Sequence, residues 1–135
     1  EDKDFYLVGA SHNGYEKKFG YIHKRSIQIL KKEDKIFGHD ELKKTKNCLN
    51  ELIYFVRFHI YPDTKIVKTK AENSVLISLS SGEGWILQCL TNSLKIEKNI
   101  FLGNKNKIIN NESVFISGNI NEDIILIKWE IERVN

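Results

Sequence analysis

Short apolar segments separated by turn residues make up most of the chain. None of them carries an apolar stripe of helical period over the roughly 11 residues that would indicate an amphipathic helix. Gly, Asn, Asp and Ser turn signals recur about every 8–12 residues, a spacing typical of antiparallel sandwiches and barrels. The pattern predicts an all-β antiparallel sandwich of about nine strands.

Residues 51–62 form the most strongly apolar segment, ELIYFVRFHIYP. Both parities are largely apolar, which is typical of a strand covered on both faces, so we expect this strand at the centre of the fold. Arg57 and His59 are the exceptions, and their spacing of two places them on one face. Pro62 ends the strand because it cannot donate a ladder hydrogen bond. Phe58 is predicted to be a core residue.

Other segments are more one-sided. Residues 19–30 predict a long strand, 31–34 a charged hairpin turn, 35–42 a further strand, 43–50 a loop, 63–70 a lysine-rich edge strand, 80–84 a Gly-bearing hairpin and 124–134 a last strand. In the last strand Ile125, Ile127, Trp129 and Ile131 share one face, opposite charged residues, so Trp129 is also predicted to lie in the core.

The composition is that of one globular domain spanning residues 1–135. Hydrophobic residues make up 41% and charged residues 29%, and no run approaches the ~18 apolar residues of a membrane span. The chain contains no Met, so we expect a segment of a longer protein. No signal peptide is visible in the sequence, and the compartment stays open.

Most familiar chemistries are absent from the sequence. It has no phosphate-binding glycine loop, GxSxG elbow, HExxH pair or zinc-ribbon spacing, and Cys48 and Cys89 stand alone. The net charge of +3 reflects many lysines on a solvated surface, although a local basic patch would still attract an anion. We assign no catalytic residue, metal ligand or cofactor, and expect neither nucleic-acid nor membrane partners.

Four potential cations occupy strand positions of core-facing parity: His23, Arg25, Arg57 and His59. A buried charge is costly unless it is paired, so one interpretation is a structural ion pair with Asp40, Glu41 or Glu130. The other is a basic face that binds an acidic ligand, since an Arg fork suits carboxylates and sulfates. Both pairs on adjacent strands of one sheet face would form a single cluster.

His12 and Tyr15 are further binding candidates because they lie in a predicted loop, SHNGY, where Gly14 permits a tight turn. An incidental surface histidine is the simpler interpretation.

Six segments in this order resemble the C-terminal region of heparinase II/III-like polysaccharide lyases. They are His12-Asn13-Gly14-Tyr15, Gly20-Tyr21-Ile22-His23-Lys24-Arg25-Ser26-Ile27, Gly38-His39-Asp40-Glu41-Leu42, Val56-Arg57-Phe58-His59-Ile60-Tyr61-Pro62, Gly82-Glu83-Gly84-Trp85 and Ile127-Lys128-Trp129-Glu130-Ile131. The chain departs from the family pattern at Tyr61, where the bacterial sequences usually have His before Pro.

The resemblance implies a lyase with an upstream helical toroid and a C-terminal β-sandwich, binding an acidic, uronate-containing polysaccharide such as a glycosaminoglycan or alginate between them. Cleavage would proceed by β-elimination. The family's catalytic Tyr and Asn lie on the helical domain, and a further His precedes this segment, so the chain alone is expected to be inactive. Some relatives hold a structural metal in the β-domain, but no ligand can be assigned here.

The alternative is a free-standing, non-catalytic carbohydrate-binding β-sandwich. In that case Trp85, Tyr15 or Tyr21 would be the platform on which the sugar stacks.

Overall fold

The computed structural model describes residues 4–48, 50–103, 105 and 107–134. Within these ranges the chain forms ten strands and one helical turn. The elements are β1 (Phe5–His12), α1 (Glu16–Phe19), β2 (Tyr21–Leu30), β3 (Lys35–Lys44), β4 (Leu52–His59), β5 (Lys65–Lys68), β6 (Ser74–Ser78), β7 (Gly84–Cys89), β8 (Lys95–Phe101), β9 (Ile109–Ile120) and β10 (Ile124–Arg133).

The strands form two antiparallel sheets. The large sheet has seven strands in the order β1-β2-β3-β10-β7-β6-β5, and the small sheet has three in the order β4-β9-β8. The last strand, β10, is inserted between β3 and β7, so the chain closes the large sheet only when its C-terminal residues are in place. The all-β antiparallel sandwich predicted from the sequence is confirmed.

The core lies between the two sheets. Its buried residues are Val75 and Ile77 of β6, Leu87 and Cys89 of β7, Ile127 and Trp129 of β10, Val56 of β4, Val114 and Ile116 of β9, and Leu94. Trp129 is 4% exposed, and Phe58 packs edge-on against its ring with the ring centroids 5.0 Å apart. Both predicted core aromatics therefore belong to the interior.

The small sheet covers only part of the large one. The core residues of the large sheet come from β6, β7 and β10. On β1 the register places Tyr6 and Val8 opposite Ile29 and Ile27, on the inward face, yet they are 45% and 65% exposed. The β1–β2 end of the sandwich is consequently open.

The predicted central position of residues 51–62 is wrong. This segment forms β4, an edge strand of the small sheet, and its outward residues Ile53 and Phe55 are 61% and 50% exposed. Apolar residues on both parities indicated cover on both faces, but the structure covers only the inward parity. β10, flanked by strands on both sides, occupies the middle of the large sheet instead.

The turns follow the sequence closely. Residues 31–34 connect β2 to β3, with Asp34 at a φ of 48°, and Gly82 adopts a φ of 94° in the hairpin between β6 and β7. The lysine-rich segment becomes β5, at one edge of the large sheet. β3 runs two residues further than predicted, to Lys44. No helix in the described part of the chain is long and apolar enough to cross a membrane.

Gly38 of β3 makes room for the Trp129 indole. The register pairs these two residues directly, and a Cβ added at Gly38 would lie 2.0 Å from the indole ring. The absence of a side chain at Gly38 therefore lets Trp129 lie flat against β3 and reach the neighbouring inward position, Asp40.

Gly38→Ala should lower the free energy of unfolding by about 3 kcal/mol, because the new methyl group would force the Trp129 ring out of its place. Gly9→Ala is the matched control, since it also lies in a strand but its Cβ would meet nothing closer than 3.6 Å. Denaturant unfolding followed by Trp fluorescence measures both variants. Equal stability of the two would show that the close approach of Gly38 to Trp129 is not a constraint.

Candidate functional site

Asp40 is the central residue of a polar network on the inward face of the large sheet. It is 1% exposed, and β-sheet register pairs it with Arg25 on β2 and with Ile127 on β10. Arg25 donates from Nε to Oδ1 at 2.7 Å and from a terminal nitrogen to Oδ2 at 3.2 Å. The Trp129 indole N–H donates to Oδ2 at 2.9 Å, and His23 Nε2 lies 2.7 Å from Oδ1.

These contacts determine the charge state of Asp40. Burial alone would raise its pKa, but the hydrogen bonds from Arg25, Trp129 and His23, together with the positive charge of Arg25, outweigh burial and hold the pKa below its usual value of 3.8. Asp40 is therefore ionised at neutral pH. A buried carboxylate with four hydrogen bonds and a guanidinium partner is a fully compensated charge.

Two histidines extend the network to the surface. The prediction that His12 lies in a loop is wrong, because His12 is the last residue of β1. It pairs with His23 of β2, and His12 Nε2 lies 3.1 Å from His23 Nδ1. The Gly14 backbone N–H can only donate, and it points to His12 Nδ1 at 3.2 Å. With that nitrogen as the acceptor, neutral His12 carries its proton on Nε2 and donates to His23, which in turn donates to Asp40.

The turn after β1 places two aromatic rings beside this network. Tyr15 lies against His12, with ring centroids 5.0 Å apart, and Phe19 follows at 6.4 Å from Tyr15. The single turn of α1 ends at Gly20, whose φ of 77° and close approach to the Lys46 carbonyl exclude a side chain. This turn fixes the direction from which Tyr15 and Phe19 approach the sheet.

A cleft of about 400 Å³ opens above the network. Its lining includes His23, Arg25, Asp40 and Tyr15, and also residues 52–57 of β4 in unbroken succession. Successive side chains of a strand point to opposite faces of the sheet. A cleft that contacts all of residues 52–57 therefore contacts both faces, which happens only along an edge of β4. Among the described strands, β4 pairs with β9 alone, so this edge of β4 has no partner strand there. The cleft is bounded by unpaired backbone on one side and by Arg25 and His23 on the other.

The family model for the heparinase II/III-like C-terminal region matches residues 1–130. The chain belongs to this family. No curated protein matches it. Among solved structures, the heparan sulfate lyase HepC from Pedobacter heparinus is similar with a TM-score of 0.82 at 14% identity, over 98% of this chain and 20% of that one.

Two further structures agree. A structure described as Heparinase III gives a TM-score of 0.78 at 17% identity over 100% of this chain, and one described as the Heparinase III-BT4657 gene product gives 0.75 at 14% identity over 98%. At these identities the likeness concerns the fold. The heparinase II/III-like chain spans about a fifth of the length of each of these lyases.

The structure brings together four of the six predicted binding residues of the heparinase II/III-like chain: His12, Tyr15, His23 and Arg25. The prediction of Asp40 as an ion-pair partner is confirmed by its contacts with Arg25 and His23. The other two proposed partners do not reach the Arg25 and His23 side chains. Glu130 lies 3.5 Å from Lys35 instead, and Glu41 points to the outward face of β3.

The hypothesis of one four-cation cluster is wrong. Arg57 and His59 lie on β4, in the other sheet, and both are exposed. Arg57 Nε donates to Glu97 Oε1 at 2.7 Å, a partner that the sequence analysis missed. Glu97 is 40 residues away on β8, with β9 between the two strands, so only the order of strands in the sheet reveals the pair.

Trp129 was predicted as a core residue, yet its N–H also contributes to the site. A buried indole N–H usually has an acceptor, and this general expectation was the one signal for its second role. Three rings were suggested as the platform for a stacked sugar in the alternative function. Tyr21 is 5% exposed, so its assignment as a platform is wrong, and Trp85 is only partly exposed. Tyr15, at 47%, remains accessible.

Among the described residues no group of three His, Cys, Asp or Glu side chains is arranged to hold a metal.

Asp40→Asn should lower stability by about 2–3 kcal/mol at neutral pH, because it removes the charged acceptor of the hydrogen bonds from Arg25, Trp129 and His23. The lowered pKa also gives a pH dependence. The contribution of Asp40 is fully present above its unfolded-state pKa and is lost as pH falls through the lower folded-state value. We expect wild-type stability to fall below about pH 4, and the stability of the variant to change less there.

Asp123→Asn is the matched control, since Asp123 is 86% exposed and pairs with Lys44 at 3.5 Å on the surface. An exposed pair of this kind contributes about 0–1 kcal/mol. Urea unfolding of the three proteins between neutral and acidic pH gives the comparison. Identical acid profiles of wild type and Asp40→Asn would contradict the assigned charge state.

Proposed function

We propose that this chain is the C-terminal β-sandwich of a polysaccharide lyase that cleaves acidic, uronate-containing polysaccharides by β-elimination. In this proposal it packs on an upstream helical domain and lines the substrate cleft. Family membership and the position of Arg25 at the cleft carry the proposal.

β-Elimination needs a base for the proton α to the uronate carboxylate, an acid for the leaving glycosidic oxygen and a group that neutralises the carboxylate. Arg25 is suited to the last task. Asp40 occupies its Nε and one terminal nitrogen, which leaves the other terminal nitrogen, and the side chain is 39% exposed. A guanidinium held rigid in this way can bind a carboxylate with little further loss of entropy.

The two imidazoles are poorly placed to act as the base. The two nitrogens of His12 contact the Gly14 N–H and His23, and the two nitrogens of His23 contact His12 and Asp40. Neither ring therefore offers a free nitrogen that could accept a substrate proton. This supports a division in which the chain binds and orients the polysaccharide while acid–base residues lie outside it.

The open end of the sandwich supports packing on another domain. The inward face of β1 exposes Tyr6 and Val8, and one backbone edge of β4 is unpaired within the part of the chain that the structure describes. Both features carry groups that are normally covered in a complete protein. A domain seated at this end would bury them and form the second wall of the cleft.

The chain alone should show no lyase activity on heparan sulfate, hyaluronan or alginate. Without a positioned acid and base, binding gives little acceleration of β-elimination. The measurement is the ultraviolet absorbance of the unsaturated uronate product over a long incubation. A signal that grows in proportion to protein concentration, with the chain as the only protein, would overturn the division of labour.

In the longer lyase, Tyr15→Ala should raise KM several-fold for the polysaccharide and leave kcat nearly unchanged, as expected for lost uniform binding. Tyr15 is exposed at the cleft, so its loss should not unfold the sandwich. Val67→Ala, also exposed but on the distant edge strand β5, is the control and should leave both constants unchanged. A selective loss of kcat at Tyr15 would instead place that residue in the chemical step.

A further inference from the structure

The outward face of the small sheet is unusual for a solvent-facing sheet surface. On β4 it carries Ile53 and Phe55, which are 61% and 50% exposed, where polar residues are expected. Beyond the strand, Tyr61 is 68% exposed. The surface continues over β9, which pairs with β4, and over β8, which pairs with β9. We call this surface the outer track and define it by Phe55, Arg57, Tyr61, Glu97, Phe101 and Phe115.

Aromatic pairs stand at the two ends of the outer track. Phe55 and Phe115 form a tilted pair with ring centroids 6.0 Å apart, and Tyr61 and Phe101 form an edge-on pair at 5.3 Å. Phe55 and Tyr61 are six positions apart along nearly extended chain, which corresponds to about 20 Å. Several sugar rings in a row span this length.

The centre of the outer track is polar. Arg57 and Glu97 form their ion pair at 2.7 Å and remain 42% and 30% exposed. Arg57 also lies over the Phe55 ring, with its guanidinium carbon 4.7 Å from the centroid. The ion pair uses Nε, and no described residue accepts a hydrogen bond from its terminal nitrogens. Beside the pair, Asn99 donates at 2.7 Å to the hydroxyl of Ser113, a buried residue that the register places opposite Glu97.

This distribution favours a carbohydrate over a protein partner. Protein interfaces have apolar cores from which charged residues are depleted, whereas here the charges lie at the centre and the rings at the ends. A sugar chain presents C–H faces that stack on aromatic rings and hydroxyl or carboxylate groups that need donors and acceptors. Aromatic ends and an ion pair with free donors meet both requirements.

We propose that the outer track is an accessory binding surface for an acidic oligosaccharide, continuous with the cleft. Phe55 and Arg57 belong to the cleft lining as well as to the outer track, so a chain leaving the cleft passes onto this face. Arg57 binds a uronate or sulfate group, and the Tyr61–Phe101 pair holds the sugar furthest from the cleft. The choice of an acidic oligosaccharide rests on the proposed function, whereas the description of the outer track rests on its aromatic pairs and its ion pair.

The decisive experiment compares long and short ligands. Isothermal titration of the chain with a heparan sulfate decasaccharide and tetrasaccharide should show the long ligand binding more tightly, because only it reaches both cleft and outer track. Tyr61→Ala should weaken decasaccharide binding about tenfold and leave tetrasaccharide binding unchanged. Arg57→Ala should weaken the decasaccharide and reduce the salt dependence of its binding.

Tyr6→Ala is the matched control, since this exposed tyrosine lies on β1 in the other sheet. Circular dichroism confirms that each variant stays folded. Tyr15→Ala separates the two proposals. If it weakens binding while Tyr61→Ala does not, the cleft proposal stands and the outer track is overturned. If Tyr61→Ala alone weakens binding, the outer track stands and the cleft proposal fails.

Two other results would also overturn the outer track. The first is a wild-type chain that binds neither oligosaccharide. In that case the KM of the Tyr15→Ala variant of the longer lyase still tests the cleft proposal. The other is self-association of the chain, seen by sedimentation and abolished by Tyr61→Ala with no change in oligosaccharide affinity, which would make this face a protein contact.

Discussion

A single buried carboxylate constrains the arrangement of the large sheet. Asp40 can be ionised in the interior only if donors surround it, and they come from β2 and β10, the strands on either side of its own. The donor from β10 arrives more than 80 residues later in the chain. The carboxylate therefore specifies which strands must be neighbours, in addition to any stability it contributes.

The unequal size of the two sheets determines where the core is covered and where it is open. Three strands cannot cover seven, so the sandwich is closed over β6, β7 and β10 and open over β1 and β2. The Asp40 network lies at the boundary between these regions, where a side chain can be anchored in the interior and still reach solvent. Arg25 shows the result, since Asp40 anchors its guanidinium while the side chain stays 39% exposed.

Strand periodicity and turn residues were enough to predict the fold class, most strand positions and the hairpins. They also predicted that Arg25 needs an acidic partner and included Asp40 among three candidates. They could not show how strands divide between sheets, because pairing depends on contacts distant in sequence. The position of β4 at an edge and the Arg57–Glu97 pair both depend on that division. The apolar outward parity of β4 was correctly recognised but assigned to the wrong cause.

The two cation pairs show why local spacing cannot decide between structure and binding. His23 and Arg25 have the same spacing as Arg57 and His59, and each pair shares one face of its strand. Arg25 faces inward opposite Asp40, so most of its hydrogen-bonding capacity is used by the fold. Arg57 faces outward opposite Phe115, so a surface carboxylate takes one donor and the others stay accessible. The residue across the strand decides whether an arginine anchors the sheet or remains available to a ligand.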